Sequence, residues 1–295
     1  MGEMESESVD CIVTDPPFNT GKKWKGRTGE FYDTFPVDED ELHFLRGDIR
    51  AFLEAWRDVD ESVIGYLTYM APRLEEIHRV LKPTGSLFLQ CDEHASHHLK
   101  LLLDAVFGRK NFVNEIIWCY GGRGIRKDRF QNKHGTIFFY AKDNKQRYFD
   151  KEGASRKVEE KYAGRYNKVD EKGNRYARVK NKDGSYGNYY LKKVVREDWW
   201  QIPFVRGEEV VGYPTQKPLE LCARMIKAAT KESDVVFDPF CGSGTTCVAA
   251  KCLGRDYLGV DLSEDAVTMA EDRLADWVDT GIRLGDSWVI TKEMG

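Results

Sequence analysis

Two short apolar runs in this chain end in the same way, on an aspartate followed by proline: VDCIVT before Asp15-Pro16-Pro17, and VVF before Asp238-Pro239. Proline brings no N–H to a sheet ladder, so each run reads as a buried strand with a fixed end. Between and beyond them, helical and extended patterns alternate. Residues 66–80 have helical periodicity despite Pro72, LKPTG reads as a turn, and SLFLQCD as a strand. EHASHHLKLLLDAVFG follows as an amphipathic helix stopped at Gly108. FVNEIIWCY and GTIFFYAK are two more strands. From 217 onward the pattern is helix PLELCARMIKAAT, strand DVVFD, loop PFCGSG, helix TTCVAAKCLG, strand DYLGVD, helix SEDAVTMAEDRLADWV and strand GIRLGD. Alternation at this spacing implies an α/β fold with a parallel, doubly wound sheet.

Two stretches break the rhythm. Residues 19–62 are polar and glycine-spotted, which predicts a long loop with one helix near DIRAFLEAW. Residues 150–198 are dense in Lys, Arg, Gly, Asn and Tyr, with turn signals throughout KNKDGSYGNYY. An inserted region is therefore expected over 117–205, between two parts of one domain, 1–116 and 206–295. Charge supports the division. The chain carries a net −4, yet residues 121–200 hold 22 Lys and Arg against 11 Asp and Glu, and 14 of the 36 aromatics. A basic, aromatic-rich stretch in an otherwise acidic protein suits a polyanion such as nucleic acid. No apolar run is long enough to span a membrane, and the acidic N-terminus is unlike a signal peptide. Seven scattered cysteines fit a reducing cytosol better than a disulfide framework. Cys91, His94 and His98 have spacings that zinc tolerates, but they open an amphipathic helix and no second ligand pair lies nearby, so no metal is assigned. Cys241, Cys247 and Cys252 read as small buried residues, and Trp199 and Trp200 as anchors of the insertion to the sheet.

The stretch VVFDPFCGSGTT compresses a strand, a glycine turn and a helix start into 12 residues. Gly242 and Gly244 permit a tight turn and keep side chains away from a ligand. Thr245 or Thr246 is placed to cap the next helix. No Gly-Lys-Ser/Thr follows, which excludes a phosphate loop, and Asp-Pro stands where a dinucleotide turn begins. Asp238 ends its strand at the carboxyl edge, where open α/β sheets bind ligands, and Asp261 follows 23 residues later, at the distance of a ribose-binding acid. A nucleoside with a positive charge near Asp238 fits this pattern, and S-adenosylmethionine is such a molecule.

TDPPF and FDPFCGSGTT, with YPTQKP between them, resemble the amino-methyltransferases of DNA, over nearly the whole chain apart from 150–198. The motif order resembles the circularly permuted beta class. That likeness implies a Rossmann-like, mostly parallel seven-stranded sheet, an insertion acting as target-recognition region, and the strand GIRLGD lying beside VDCIVTD. It implies S-adenosylmethionine as cofactor and double-stranded DNA as partner. It further implies a homodimer, any cognate restriction endonuclease on a separate chain, and a cytoplasmic location. Thr215, Gln216 and Lys217 match the motif that shapes the methionine end of the cofactor pocket. Phe240 matches the aromatic near the cofactor adenine. Pro239, Cys241, Gly242, Ser243, Gly244, Thr245 and Thr246 complete the cofactor turn with Asp238 and Asp261, and Asp15 joins the cofactor-binding set, within reach of the methyl donor.

The chemistry gives the first motif a role. An adenine amino group is a weak nucleophile because its lone pair is delocalised, so it must pyramidalise to attack a methyl group. Acceptors aimed at its hydrogens favour that change: the Asp15 carboxylate and the Pro16 carbonyl, held rigid because Pro16 and Pro17 both have a fixed φ. Phe18 offers a face for a base flipped from the duplex. Lys22, Lys23, Lys25 and Arg27 follow in a loop able to close on DNA, and Arg123, Arg126, Lys127 and Arg129 form a second basic group. Asp-Pro-Pro rather than Ser-Pro-Pro favours adenine N6. The alternatives are N4-cytosine methylation on the same fold, a catalytically silent DNA-binding subunit, or an RNA or protein substrate.

Replacing Arg123, Arg126, Lys127 and Arg129 together by Gln should weaken DNA binding. The slope of log affinity against log salt should fall by about 0.9 for each phosphate no longer neutralised, read from binding isotherms across a salt series.

Overall fold

The structure is a computed structural model that describes residues 1–26, 29–121, 127–156, 166–190, 194–276, 283–284 and 288–289. In chain order the first elements are β1 (Val9–Thr14), the hairpin β2 (Lys23–Gly26) and β3 (Gly29–Tyr32), α1 (Glu39–Phe44), α2 (Gly47–Trp56) and α3 (Glu61–Val80). They are followed by β4 (Leu81–Cys91), α4 (Ser96–Phe107), β5 (Phe112–Cys119) and β6 (His134–Ala141). Short strands β7 (Ser155–Arg156), β8 (Lys168–Val169), β9 (Arg175–Lys180), β10 (Tyr186–Tyr190) and β11 (Val194–Val195) come next, then β12 (Trp199–Gln201). The chain continues with α5 (Leu219–Ala229), β13 (Val235–Asp238), α6 (Thr245–Cys252), β14 (Asp256–Gly259), α7 (Glu264–Asp276), β15 (Arg283–Leu284) and β16 (Trp288–Val289).

Seven strands form one sheet in the order β12-β5-β6-β4-β1-β13-β14. Every neighbouring pair is parallel except the two made by β6, which runs antiparallel to β4 and to β5. β1 is central and buried on both faces. Ile12 packs into an apolar cluster with Tyr66, Leu67 and Met70 of α3 and Leu99 and Leu103 of α4. Its neighbours Cys11 and Val13 point the other way, into a cluster with Met225 and Ile226 of α5 and Val248 and Ala249 of α6. Helices on both faces make the fold doubly wound, as the alternation implied. No helix among the described residues is long and apolar enough to cross a membrane.

Several local expectations are revised. α3 begins at Glu61 rather than 66, because the Asp60 side chain accepts the Val63 N–H at 3.2 Å and caps the helix there. LKPTG is the first half of β4, joined to β1 through an irregular register between Val9 and Cys11. The polar stretch after Asn19 contains the β2–β3 hairpin and two helices instead of one. Neither Thr245 nor Thr246 caps α6; Gly244 occupies that position at φ +75°, and the threonines lie inside the first turn. The C-terminal strand does not join β1. Both sides of β1 are taken by β4 and β13, and Arg283–Leu284 pairs with β16 instead; the remainder of GIRLGD lies outside the described residues.

The compact units also differ from the expected boundaries. One unit comprises residues 1–149 with 198–295, the other Asp150–Glu197. The stretch 117–149 and the tryptophans fall in the first unit, because β5, β6 and β12 belong to the large sheet. Trp200 is buried there, its ring beneath the Arg224 guanidinium at 5.1 Å, while Trp199 is exposed. The second unit contains a three-stranded antiparallel sheet, β10-β9-β8, and the β7–β11 pair. Arg156 of β7 is ion-paired with Glu197 at 2.5 Å.

At Gly244 a Cβ would lie 2.6 Å from the Ala270 Cβ of α7, on a left-handed backbone. Gly244→Ala should therefore cost about 2–4 kcal/mol in thermal or denaturant unfolding. Gly47→Ala, in open space at the start of α2, should be neutral or slightly stabilising.

Candidate active site

The pairing of β1 with β13 brings Asp15 and Asp238 to the carboxyl ends of adjacent strands. Thr14 and Asp238, 224 positions apart, are joined directly: the Thr14 hydroxyl donates to Asp238 Oδ1 at 2.8 Å. The same oxygen accepts the Phe240 N–H at 3.1 Å, which folds the chain back immediately after the strand. The turn is then fastened to the end of β14. Cys241 N donates to the Val260 carbonyl at 2.9 Å, and Val260 N to the Asp238 carbonyl at 3.0 Å. Gly242 N donates to Asp261 Oδ2 at 2.8 Å, and Ser263 N to Asp261 Oδ1 at 3.0 Å. Asp261 thus holds the turn with one oxygen and its own loop with the other, and each oxygen keeps one further acceptor site.

The two turn glycines make room for protein. A Cβ at Gly242, φ +48°, would stand 3.0 Å from the Tyr213 ring, and Gly244 is filled against α7 as described. Behind the turn the buried Arg273 guanidinium donates to the Ser243 carbonyl at 2.5 Å and to the Thr245 hydroxyl at 3.1 Å. Thr246 hydroxyl donates to the Val13 carbonyl at 3.3 Å, tying α6 to β1. Pro239 and Cys241 are buried; desolvation pushes the Cys241 thiol up to about 12, so it behaves as an inert, uncharged group.

On the other side, Asp15 Oδ2 is ion-paired with the Lys217 ammonium. The same ammonium donates to the Thr215 carbonyl at 3.0 Å and stands 5.8 Å from the centroid of the Phe18 ring. Lys217 thus stands at the Asp15 end of the site. Gln216 is buried and locks its own loop, donating to the Glu209 carbonyl at 2.6 Å and accepting the Val211 N–H at 3.0 Å. Pro16 is buried, and Phe18 packs partly against the α3 side of the core.

Three residues that the motifs did not mark complete the geometry. The buried Tyr66 hydroxyl donates to the Pro17 carbonyl at 2.8 Å. The buried Asp33 carboxylate accepts Asn19 N at 2.8 Å, Thr20 N at 3.0 Å and the Thr20 hydroxyl at 2.6 Å. Together they fix the path of the chain on leaving Asp15-Pro16-Pro17. Thr14, the third, was in the quoted motif, but its partner was not visible without the pairing. Lys22 and Lys23 are exposed at the start of the hairpin, and Lys127 and Arg129 are exposed beyond β5. Arg27, Arg123 and Arg126 lie outside the described residues.

Electrostatically this edge gathers acid. Burial pushes the Asp15 carboxyl above its ordinary value; Lys217 opposes that shift, and Asp92 and Asp33 add to it. Asp15 Oδ1 is buried without a hydrogen-bond partner. Buried acceptors are rarely left so, and such an atom has the capacity to receive a donor. Burial likewise pushes Asp238 up to about 6, opposed by the nearby Thr246 hydroxyl and by the hydrogen bonds from Thr14 and Phe240.

The site is thus a doubly wound sheet whose adjacent strands β1 and β13 end in acids, one of them beside a glycine turn. The sequence matches the family described as DNA methylase, the N6-adenine and N4-cytosine type, over residues 9–272, and the chain belongs to that family. Among curated relatives, type II methyltransferase M.HpaI of Haemophilus parainfluenzae is 29% identical over 274 residues, covering 92% of this chain and 69% of that protein. DNA adenine methyltransferase YhdJ of Escherichia coli (strain K12) is 28% identical over 275 residues, covering 92% and 78%. Among solved structures, PvuII DNA methyltransferase (cytosine-N4-specific) superposes with a TM-score of 0.56 at 16% identity, over 92% of this chain and 81% of its own. The M1.HpyAVI–SAM complex superposes with a TM-score of 0.51 at 19% identity, over 90% and 89%.

Asp238 binds its proton more tightly folded than unfolded. The stabilisation this proton gives is full below about pH 3.9, the unfolded value, and is lost as pH rises through about 6. Thermal unfolding from pH 4 to 7 should show wild type losing stability relative to Asp238→Asn, by on the order of 3 kcal/mol in all. Parallel curves would contradict the burial argument.

Proposed function

We propose that this protein transfers a methyl group from S-adenosylmethionine to the N6 amino group of adenine in double-stranded DNA. The observation that carries the reading is the unpartnered, buried Asp15 Oδ1 at the end of β1, beside the strand that ends in Asp238. A carboxylate with one oxygen neutralised by Lys217 and the other unpartnered accepts one hydrogen of an amino group. Its rigid neighbours Pro16 and Pro17, with Pro17 held by Tyr66, keep that acceptor in place before the substrate arrives.

The residues present fit the methyl donor. Asp261 keeps an acceptor site on each oxygen for ribose hydroxyls, Phe240 is half-buried at the turn, and Asp238 supplies negative charge for a cationic ligand. When bound, S-adenosylmethionine supplies an electrophilic methyl group on a sulfonium. Asp15 then holds the amine as its lone pair leaves conjugation with the ring and positive charge develops on nitrogen. It need not remove a proton from the neutral amine, because the methylated ammonium is strongly acidic and loses its proton late, to Asp15 or water. Phe18 stacks on the base once the nucleotide is out of the duplex. Asp-Pro-Pro favours adenine over cytosine; the same acceptors serve the N4 amine of cytosine, which the experiment separates.

Purified protein given S-adenosylmethionine and duplex DNA should yield N6-methyl-2′-deoxyadenosine on digestion to nucleosides and mass measurement. Methyl-2′-deoxycytidine alone would overturn the adenine assignment. Asp15→Ala should abolish transfer and leave DNA affinity within a few fold; near-normal turnover in that variant would overturn the acceptor role.

A further inference from the structure

The unit 150–197 holds 14 Lys and Arg against 8 Asp and Glu. At its centre is the antiparallel sheet β10-β9-β8. Residues opposite one another on antiparallel strands share a face, and each face takes every second residue. The register sets Lys168 and Tyr190 on either side of Tyr176, Asn188 opposite Arg178, and Tyr186 opposite Lys180. One face is thus built in three rows of aromatic, cationic and amide side chains, with no aliphatic residue among them. It is open to solvent: Tyr186 is 59% and Tyr190 41% exposed, and Lys168, Arg178, Lys180 and Asn188 are exposed too.

The face is also ordered internally. The Tyr176 and Tyr190 rings lie 5.5 Å apart, and the Arg178 guanidinium stands 5.4 Å from the Tyr186 ring centroid. A cavity of about 740 Å³ opens beside Lys168, Arg178, Lys180 and Tyr186. The middle row holds a guanidinium and an amide, where the outer two hold ammonium and phenol groups. Arg178 and Asn188 make no ion pair or side-chain hydrogen bond among the described residues, so their donors and acceptors are free. They are also the two side chains whose planar groups match base edges, Arg to guanine O6 and N7 and Asn to adenine N6 and N7.

We propose that, within the insertion, Arg178 and Asn188 on this face are the residues that contact base edges. β9 and β10 enter the major groove as a two-stranded ribbon, which that groove is wide enough to admit. Arg178 contacts a guanine, Asn188 an adenine, and Lys168 and Lys180 hold phosphates on either side. Cross-strand neighbours are about 5 Å apart, between one and two base-pair steps of about 3.4 Å. The recognised sequence therefore holds a G and an A no more than two positions apart, outside the methylated base. The inference rests on the methyltransferase reading above.

The test maps methylated positions in DNA from cells expressing wild type, Arg178→Ala, Asn188→Ala or Arg175→Gln. Transfer and binding are then measured on duplexes changed at one base pair at a time. Wild type should discriminate by about 5-fold to 150-fold at the G and at the A. Arg178→Ala should lose discrimination at the G alone and Asn188→Ala at the A alone, each still methylating the same kind of base. Arg175→Gln, on the opposite face, should keep the full motif. Lys168→Gln with Lys180→Gln should keep the motif and lower the salt slope by about 0.9 per phosphate. A variant too slow to map is scored by its binding ratio on the same duplexes, which needs no turnover. Unchanged motif and ratios in both Arg178→Ala and Asn188→Ala would overturn the proposal. If wild type itself methylates no DNA, the methyltransferase reading fails instead.

Discussion

The site depends on one buried hydrogen bond, from the Thr14 hydroxyl to the Asp238 carboxylate, made where β1 and β13 end side by side. A bond to an ionised acceptor in this setting contributes about 1.5–3 kcal/mol, and leaving either group unpaired costs a similar amount. Its larger consequence is positional. Parallel strands that stop together, each followed by a proline, send their loops out from the same edge of the sheet. The register Ile12 to Phe237 puts Asp15 and the glycine turn on that shared rim. A shift of one residue would also turn Cys11 and Val13 out of the apolar cluster they share with α5 and α6, so the core and the site enforce the same alignment.

Around this edge the chain concentrates negative charge and supplies little to offset it. Asp15 and Asp238 are both raised by burial, and Lys217 is the ammonium set against Asp15. Such a site resists cations less than it resists its own ionisation. A cationic ligand and an amino group that gains positive charge both relieve it. The loops keep their acids in place because they are fastened elsewhere: Asp33 and Tyr66 on one side, Arg273, Gln216 and the Asp261 carboxylate on the other.

The division of charge along the chain follows the division of structure. The basic, tyrosine-rich stretch has little aliphatic content with which to build a large core, so it forms short antiparallel strands with an open face. The stretch 117–149, equally basic in part, instead contributes β6 to the main sheet through Ile137, Phe138 and Phe139, which are buried. Charge count alone could not separate these cases; aliphatic pattern does, because only a strand with apolar side chains on both faces can lie inside a covered sheet.

The alternation of helix and strand, the two Asp-Pro strand ends and the glycine turn were all legible in the residues, because each is a local property of backbone and burial. So was the placing of Asp15, Asp238 and Asp261 at or just beyond the ends of their strands. Tertiary structure alone decided the partners. It put Lys217 on Asp15, Tyr66 on Pro17 and Asp33 on Asn19, and gave the place beside β1 to β13 rather than to the C-terminal strand. It also turned Gly242 and Gly244 into packing positions for Tyr213 and Ala270. Local patterns specify what a segment is; which segment lies against it depends on long-range burial, and no spacing along the chain encodes that.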